Sequence, residues 1–154
     1  MHATPPLSAR LRSLIDALSQ GLVERTTPVR LALLAALTGE HLLLIGINRP
    51  AKRNAISDAL IQQLHTCFVN LPEDTRAVVV SGEGDHFSAG LDLAELGERS
   101  VAEGVLHSRM WHAAFEQIEF GRVPVIAVLH GAVVGGGLEL ALGCHYRVTK
   151  PDAQ

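Results

Sequence analysis

Apolar segments of strand length alternate with amphipathic segments of helix length from residue 41 onward, and this rhythm limits the fold more than any other feature. His41-Leu42-Leu43-Leu44-Ile45 reads as a buried strand, and Asn54-Ala55-Ile56-Ser57 leads into a helix over about 57–70. That helix turns Ile56, Leu60, Ile61, Leu64 and Phe68 inward and ends at Leu71-Pro72-Glu73-Asp74. A strand follows over 76–81, then a helix within 100–119 carrying Val105, Met110, Trp111, Ala114, Phe115 and Ile118. Strand 123–129, a glycine run and helix 137–143 complete the pattern. Near-continuous apolar strands separated by helices imply an α/β fold, with a mainly parallel sheet covered by helices. A chain of 154 residues allows one ordinary domain with a small appendage, and 47% hydrophobic residues are ample for its core.

The chemistry concentrates at two strand ends. Val123-Pro124-Val125-Ile126-Ala127-Val128-Leu129 runs through Gly131-Ala132-Val133-Val134-Gly135-Gly136-Gly137 into the helix former Leu138-Glu139-Leu140-Ala141-Leu142. Successive glycines let the backbone come close to a ligand. The first N–H groups of a helix lack internal partners and carry the positive end of its dipole, so they favour negative charge. Glu139 sits two residues past the last glycine, where it either handles protons or merely complements that dipole. Val78-Val79-Val80-Ser81-Gly82 likewise leads through a glycine-rich turn to Phe87-Ser88-Ala89-Gly90-Leu91-Asp92-Leu93. Two backbone donors from separate loops are what a developing oxyanion requires, each worth about 2.7–4 kcal/mol in the transition state.

Three blocks in order resemble the crotonase (enoyl-CoA hydratase/isomerase) superfamily over about residues 42–150: Ile47-Asn48-Arg49-Pro50-Ala51-Lys52-Arg53-Asn54-Ala55, then Phe87 through Leu93, then His130-Gly131 through Leu142. The resemblance implies a crotonase-like β-β-α superhelix core, incomplete in this chain, with an N-terminal helical pair. It places the oxyanion donors on the N–H groups of Leu91 and Gly136, facing the thioester oxygen of an acyl-CoA. It makes Glu139 one of two catalytic glutamates, with the partner about twenty residues further on, past the last residue, Gln154. Ala51, Lys52, Arg53 and Ala55 fall on the loop that holds the adenine and 3′-phosphate end of coenzyme A, with Lys52 and Arg53 as phosphate partners. Ala89, Asp92, Leu93 and Ala94 would make backbone contacts near the adenine and pantetheine arm. The implied activity is enoyl-CoA hydration, with isomerisation as an alternative because it needs only one base, and a non-catalytic fragment or fusion mediating association as another. No prosthetic group is implied. Relatives of this kind form trimers or hexamers through helices beyond the segment matched here.

The opening residues follow a different pattern. Leu11, Leu14, Ile15, Leu18, Leu22 and Val23 share one face of a helix over 8–25, after Ser8 as a cap. Thr27-Pro28 opens a second helix through Leu37. Residues 18–25 and 30–40 resemble the N-terminal part of MoxR/RavA-type AAA+ ATPases, which sets Gly46–Arg53 beside a phosphate-binding loop. Ala51 stands there for its second glycine and Arg53 for its Mg²⁺-binding hydroxyl. The expected division is a helical segment over 1–40 and an acyl-CoA-binding domain over 41–154.

The formal charge of −3 gives no electrostatic reason for nucleic acid or acidic membranes as partners. Cys67 and Cys144 have no metal or redox spacing and read as reduced, buried thiols. His107 and His112 are five apart and diverge on a helix, which makes them a poor metal pair, while His86, His130 and His145 read as loop or packing residues. No apolar run reaches the roughly 18–20 residues that span a bilayer, and no secretory leader is recognisable, so a cytoplasmic protein is expected.

Overall fold

The computed structural model describes residues 41–95, 97, 100–149 and 153. Nearly all of these belong to one compact unit, Leu42–Gln154. The helices expected over 8–25 and 27–37 lie outside the described residues.

The elements run β1 (Leu42–Ile47), a 3-10 turn (Pro50–Lys52), α1 (Asp58–Val69), β2 (Ala77–Gly82), a 3-10 turn (Leu93–Glu95), α2 (Val101–Glu119), β3 (Val125–Leu129), α3 (Gly136–Gly143) and β4 (Tyr146–Thr149). The four strands form one parallel sheet in the order β1-β2-β3-β4. Leu42 pairs with Ala77, Val78 with Val125 and Ile126 with Tyr146. Val78, Val79 and Val80 are all buried, as expected for an interior strand of a sheet covered on both faces. β4 is exposed at every residue, and its polar-apolar mixture gives little sign of a strand in the sequence.

Local sequence sets the helix starts. Ser57 is extended and its Oγ accepts the N–H of Leu60 at 3.2 Å, which caps α1. At α2 the Ser100 side chain accepts the N–H of Glu103, while Glu103 Oε2 accepts the N–H of Ser100 at 2.7 Å. Such caps contribute about 1 kcal/mol each. The core joins Ile56, Ile61, Leu64 and Phe68 with Val78, Val80 and Val125, and with Trp111, Ala114 and Ile118 of α2. Phe87 is wholly buried, so truncating it to alanine would cost about 3–5 kcal/mol. Val105, expected inward, is 46% exposed; the inward face of α2 starts instead at His107, four residues before Trp111.

β1 extends two residues past Ile45, because Gly46 and Ile47 pair with Ser81 and Gly82 and Ile47 is a core residue. This removes the phosphate-loop reading of Gly46–Arg53. The N–H groups of Lys52 and Asn54 both donate to Arg49 O at 2.9 Å, and that of Arg53 donates to Pro50 O at 2.9 Å. A loop whose amides are spent within its own turn has none left to wrap a phosphate. The α-helix that follows β1 begins only at Asp58.

The carboxyl ends of β1, β2 and β3 feed three loops, 48–57, 83–92 and 130–135, at one end of the sheet. That end is where open parallel sheets bind ligands.

Candidate functional site

Two short parallel bridges tie the three loops together. Ile56 pairs with Leu91 and Ser88 with Val133. The N–H of Ile56 donates to Gly90 O at 2.7 Å and that of Asp92 to Ile56 O at 2.9 Å. On the other side the N–H of Ser88 donates to Ala132 O and that of Val134 to Ser88 O. Asn54, fully buried at φ +56°, holds the first two loops from within. Its Oδ1 accepts the N–H of Arg49 at 2.9 Å, and its Nδ2 donates to Glu83 O at 2.8 Å and His86 O at 2.6 Å.

Bridging through Ile56 leaves the N–H of Leu91 pointing away from its partner strand. Among the described residues neither that group nor the N–H of Gly136, first residue of α3, has an acceptor. A methyl placed on Gly136 would lie 3.7 Å from the Leu91 nitrogen, which limits the separation of the two nitrogens to about 6 Å. One oxygen accepting two bonds of about 2.9 Å along lone pairs about 120° apart spans donors about 5 Å apart, a separation that this bound permits. Both residues line an open cleft of about 480 Å³, together with His107, Trp111, Phe115 and Glu139. Glu139 is exposed on the first turn of α3.

The glycines admit protein atoms as much as any ligand. A Cβ on Gly136 would meet the Trp111 ring at 2.9 Å, and one on Gly137 would meet Ser88 at 2.6 Å. Gly90 and Gly131 demand glycine outright: their φ values are +87° and +52°, and a Cβ would meet Val134 O at 2.8 Å on the first and run still closer to Asp85 O on the second.

The residues matched to the coenzyme lie on the 48–57 and 88–95 loops. Ala51, Lys52 and Arg53 are exposed on the first turn, with Arg53 at φ +49°. Ala55 is buried, its N–H donating to Lys52 O and its carbonyl accepting Arg49 Nη1 at 2.6 Å. The N–H of Ala89 donates to Arg53 O at 2.9 Å and that of Ala94 to Asp92 Oδ1 at 3.2 Å. Leu93 is 73% exposed. Asp92 is buried and engages through its side chain, which the sequence does not reveal: Oδ2 lies 2.7 Å from Arg49 Nη2 and 3.4 Å from Lys52 Nζ. The Arg49 guanidinium holds the Asp92 carboxyl below the usual carboxylate range, against the upward push of burial; the Ala94 N–H and Lys52 act with Arg49.

His86 Nδ1 accepts the N–H of Ala132 at 3.1 Å, His145 Nδ1 accepts that of Val125 at 3.1 Å, and His130 Nε2 lies 2.9 Å from Gly84 O. All three therefore serve the backbone. Cys144 is buried, and burial pushes its thiol up to about 11; Cys67, expected to be buried, is only half-buried. Arg49 and Asn54 are site residues the sequence reading did not single out, and His107, which lines the cleft, was considered there only as one of a poor metal pair. Arg49 and Asn54 lay inside the first motif block, but nothing in their spacing announces a buried hydrogen-bond hub.

Comparison with known proteins places these loops in a family. The profile of the enoyl-CoA hydratase/isomerase family matches residues 38–154. A Bacillus subtilis protein assigned as an enoyl-CoA hydratase is 37% identical over 110 residues, covering 70% of this chain and 42% of its own. Among solved structures, one from Rhodopseudomonas palustris with the same assignment is 57% identical at a TM-score of 0.68, covering 70% of this chain and 42% of its own. Another, from Thermobifida fusca and in complex with CoA, is 28% identical at a TM-score of 0.68, covering 74% and 48%. The chain thus spans somewhat under half the length of these relatives. The α/β fold with its parallel sheet is the crotonase-type fold implied by the sequence blocks. The ATPase resemblance finds no support, since the family match takes in the whole of Gly46–Arg53. Residues 38–154 make this chain a member of the enoyl-CoA hydratase/isomerase family.

Proposed function

We propose that the cleft binds a coenzyme A thioester and stabilises the enolate formed at its carbonyl. The observation that carries this reading is the pair of acceptor-less amides, Leu91 and Gly136, drawn from separate loops to one cleft that Glu139 also lines. Each such donor lowers the barrier by about 2.7–4 kcal/mol when charge develops on the thioester oxygen. Glu139 is the acid/base group: in hydration it activates water for addition at C3 or delivers the C2 proton. In isomerisation it takes a proton from one carbon and returns it to another. Isomerisation is the second reading, favoured because Glu139 is the carboxylate among the described lining residues.

Lys52 and Arg53 are exposed cations suited to the coenzyme phosphates, with Ala51, Ala55, Ala89, Asp92, Leu93 and Ala94 shaping the adjoining surface. The Arg49–Asp92 pair fixes that surface rather than contacting the ligand. The proposed division is a helical segment over 1–40 and the acyl-CoA-binding domain over 41–154. No helix among the described residues is long and apolar enough to cross a membrane.

The test is turnover of crotonyl-CoA and of a 3-enoyl-CoA, with Glu139→Gln as control and calorimetry with coenzyme A alongside. Turnover that Glu139→Gln abolishes supports the reading. Folded protein that turns over neither substrate rejects the enzymatic form, and absence of any binding heat favours an association module.

A further inference from the structure

The hydrogen bonds behind the Leu91 amide lead back, one peptide at a time, to a cation. A peptide unit is flat and trans, so its N–H and its C=O point in opposite directions. The Leu91 N–H therefore points away from Gly90 O, which accepts the Ile56 N–H at 2.7 Å. Ile56 N belongs in turn to the peptide whose oxygen is Ala55 O, and that oxygen accepts Arg49 Nη1 at 2.6 Å. Arg49 Nη1, the Ala55–Ile56 peptide and the Gly90–Leu91 peptide thus stand donor to acceptor in series, ending at the Leu91 N–H. The guanidinium is itself fixed, since its Nη2 donates to Asp92 Oδ2 at 2.7 Å and the Asp92 side chain is only 5% exposed. A planar fork can serve a carbonyl and a carboxylate together, which a single ammonium cannot do in the same geometry. Lys52 Nζ lies 3.4 Å from Asp92 Oδ2, so one carboxylate faces two cations and the cluster keeps a net positive charge.

We infer that Arg49 is a positioning residue of the oxyanion site, which aims and polarises the Leu91 amide through two peptide units. The inference rests on the thioester reading. Hydrogen bonds from a charged donor are stronger than neutral ones, and bonds in series polarise one another. Electron density drawn toward the guanidinium at Ala55 O makes the Ile56 N–H a better donor. The same shift, passed on at Gly90 O, strengthens the Leu91 N–H just where negative charge builds on the thioester oxygen. Orientation comes from the same bonds: the Asp92 N–H donates to Ile56 O at 2.9 Å, so the backbone on both sides of Leu91 is held to Ile56. A clamp that merely joined the two loops would act on stability alone, whereas this series acts on the bond to the substrate, and the two can be read separately.

The test reads the carbonyl stretch of butyryl-CoA, isotope-labelled at the thioester carbon, in infrared difference spectra, with binding measured by calorimetry on the same full-length protein. Wild-type protein should lower the stretching frequency below that of the free thioester. Arg49→Ala should bind butyryl-CoA as the wild type does and lose part of that shift, but not all of it, because the Gly136 amide remains. Its kcat for crotonyl-CoA should fall about tenfold at unchanged KM, short of the 10²–10³-fold that losing a whole oxyanion donor costs. Guanidinium ion, added well below the concentrations that unfold proteins, should restore the shift. A wild-type band in Arg49→Ala, or a loss that guanidinium does not reverse, overturns the inference. If Arg49→Ala does not fold, the double variant Arg49→Met/Asp92→Asn is read in its place, since it leaves no unpaired buried carboxylate. A wild-type band there is equally fatal. Failure of the wild type to bind butyryl-CoA, or to lower its band, sinks the thioester reading itself; a lowered band that ignores Arg49 sinks only the role of Arg49.

Discussion

Asn54 holds the architecture of the site, and replacing it by alanine tests that directly. The substitution removes three side-chain hydrogen bonds, to Arg49 N, Glu83 O and His86 O, whose partners all belong to half-buried residues, while Asn54 itself is fully buried. At about 1 kcal/mol for each bond, the bonds alone account for about 3 kcal/mol. Alanine must also hold φ near +56°, which adds about 1–2 kcal/mol for a residue with a Cβ and no side-chain oxygen to compensate. The expected loss is therefore about 4–5 kcal/mol, or a fall of roughly 2 M in the urea midpoint. Trp111 is the single tryptophan of the chain and lines the cleft, so its fluorescence reports on the unit concerned. Asn54→Gly loses the same hydrogen bonds without the backbone strain and should unfold about 1–2 kcal/mol later than Asn54→Ala. Stability of Asn54→Ala within about 1 kcal/mol of wild type would refute the hydrogen-bond reasoning. Equal midpoints for alanine and glycine would refute the strain argument.

Three further predictions concern single contacts. Gly136→Ala forces the Trp111 ring to move, since the new methyl would approach it to 2.9 Å; overpacking of about 1–3 kcal/mol and slower turnover are expected, both eased by adding Trp111→Leu. No coupling between the two substitutions in a double-mutant cycle would count against it. The Asp92 carboxyl has its proton affinity depressed by folding, so its contribution is complete above the ordinary value of 3.8 and is lost as pH falls from there toward the depressed one. Acid-unfolding curves of wild type and Asp92→Asn should converge below that pH and diverge above it, and a constant gap across the range would be the contrary result. Cys144, with its thiol raised to about 11 and its Sγ donating to Leu140 O, should resist a thiol reagent at pH 8 until the protein unfolds, whereas Cys67 reacts at once. Two promptly reactive thiols in native protein would contradict this.

The segments most legible in the sequence were those with an unambiguous period or a strong cap. The helix expected over 57–70 spans 58–69 because Ser57 both ends the loop and caps the turn. The strand expected over 123–129 starts at Val125, since Pro124 has no N–H for a ladder, although its carbonyl accepts Val78 N at 2.9 Å. Val105 was misplaced because it lies six residues before Trp111, well off the face that four-residue spacing assigns to His107. His107 was weighed only as one of a metal pair, although its position on α2 follows from the same period as Trp111. Arg49 and Asp92 are 43 residues apart, and no local pattern reveals a pair that only the tertiary fold brings together. Asn54 is likewise silent in sequence, because an asparagine at positive φ resembles any turn residue until its three partners are seen.

The double bridging of Ser88–Asp92 has a further consequence for how this protein tolerates change in length. The stretch is gripped by Ile56 on one flank and Val133 on the other, so it behaves as a miniature ribbon and not as a free connection. Adding or deleting one residue within it would shift the hydrogen-bond register on both flanks at once and swing the Leu91 amide to the opposite side. Changes in length within residues 88–92 should therefore be tolerated poorly, and this stretch should keep a fixed count.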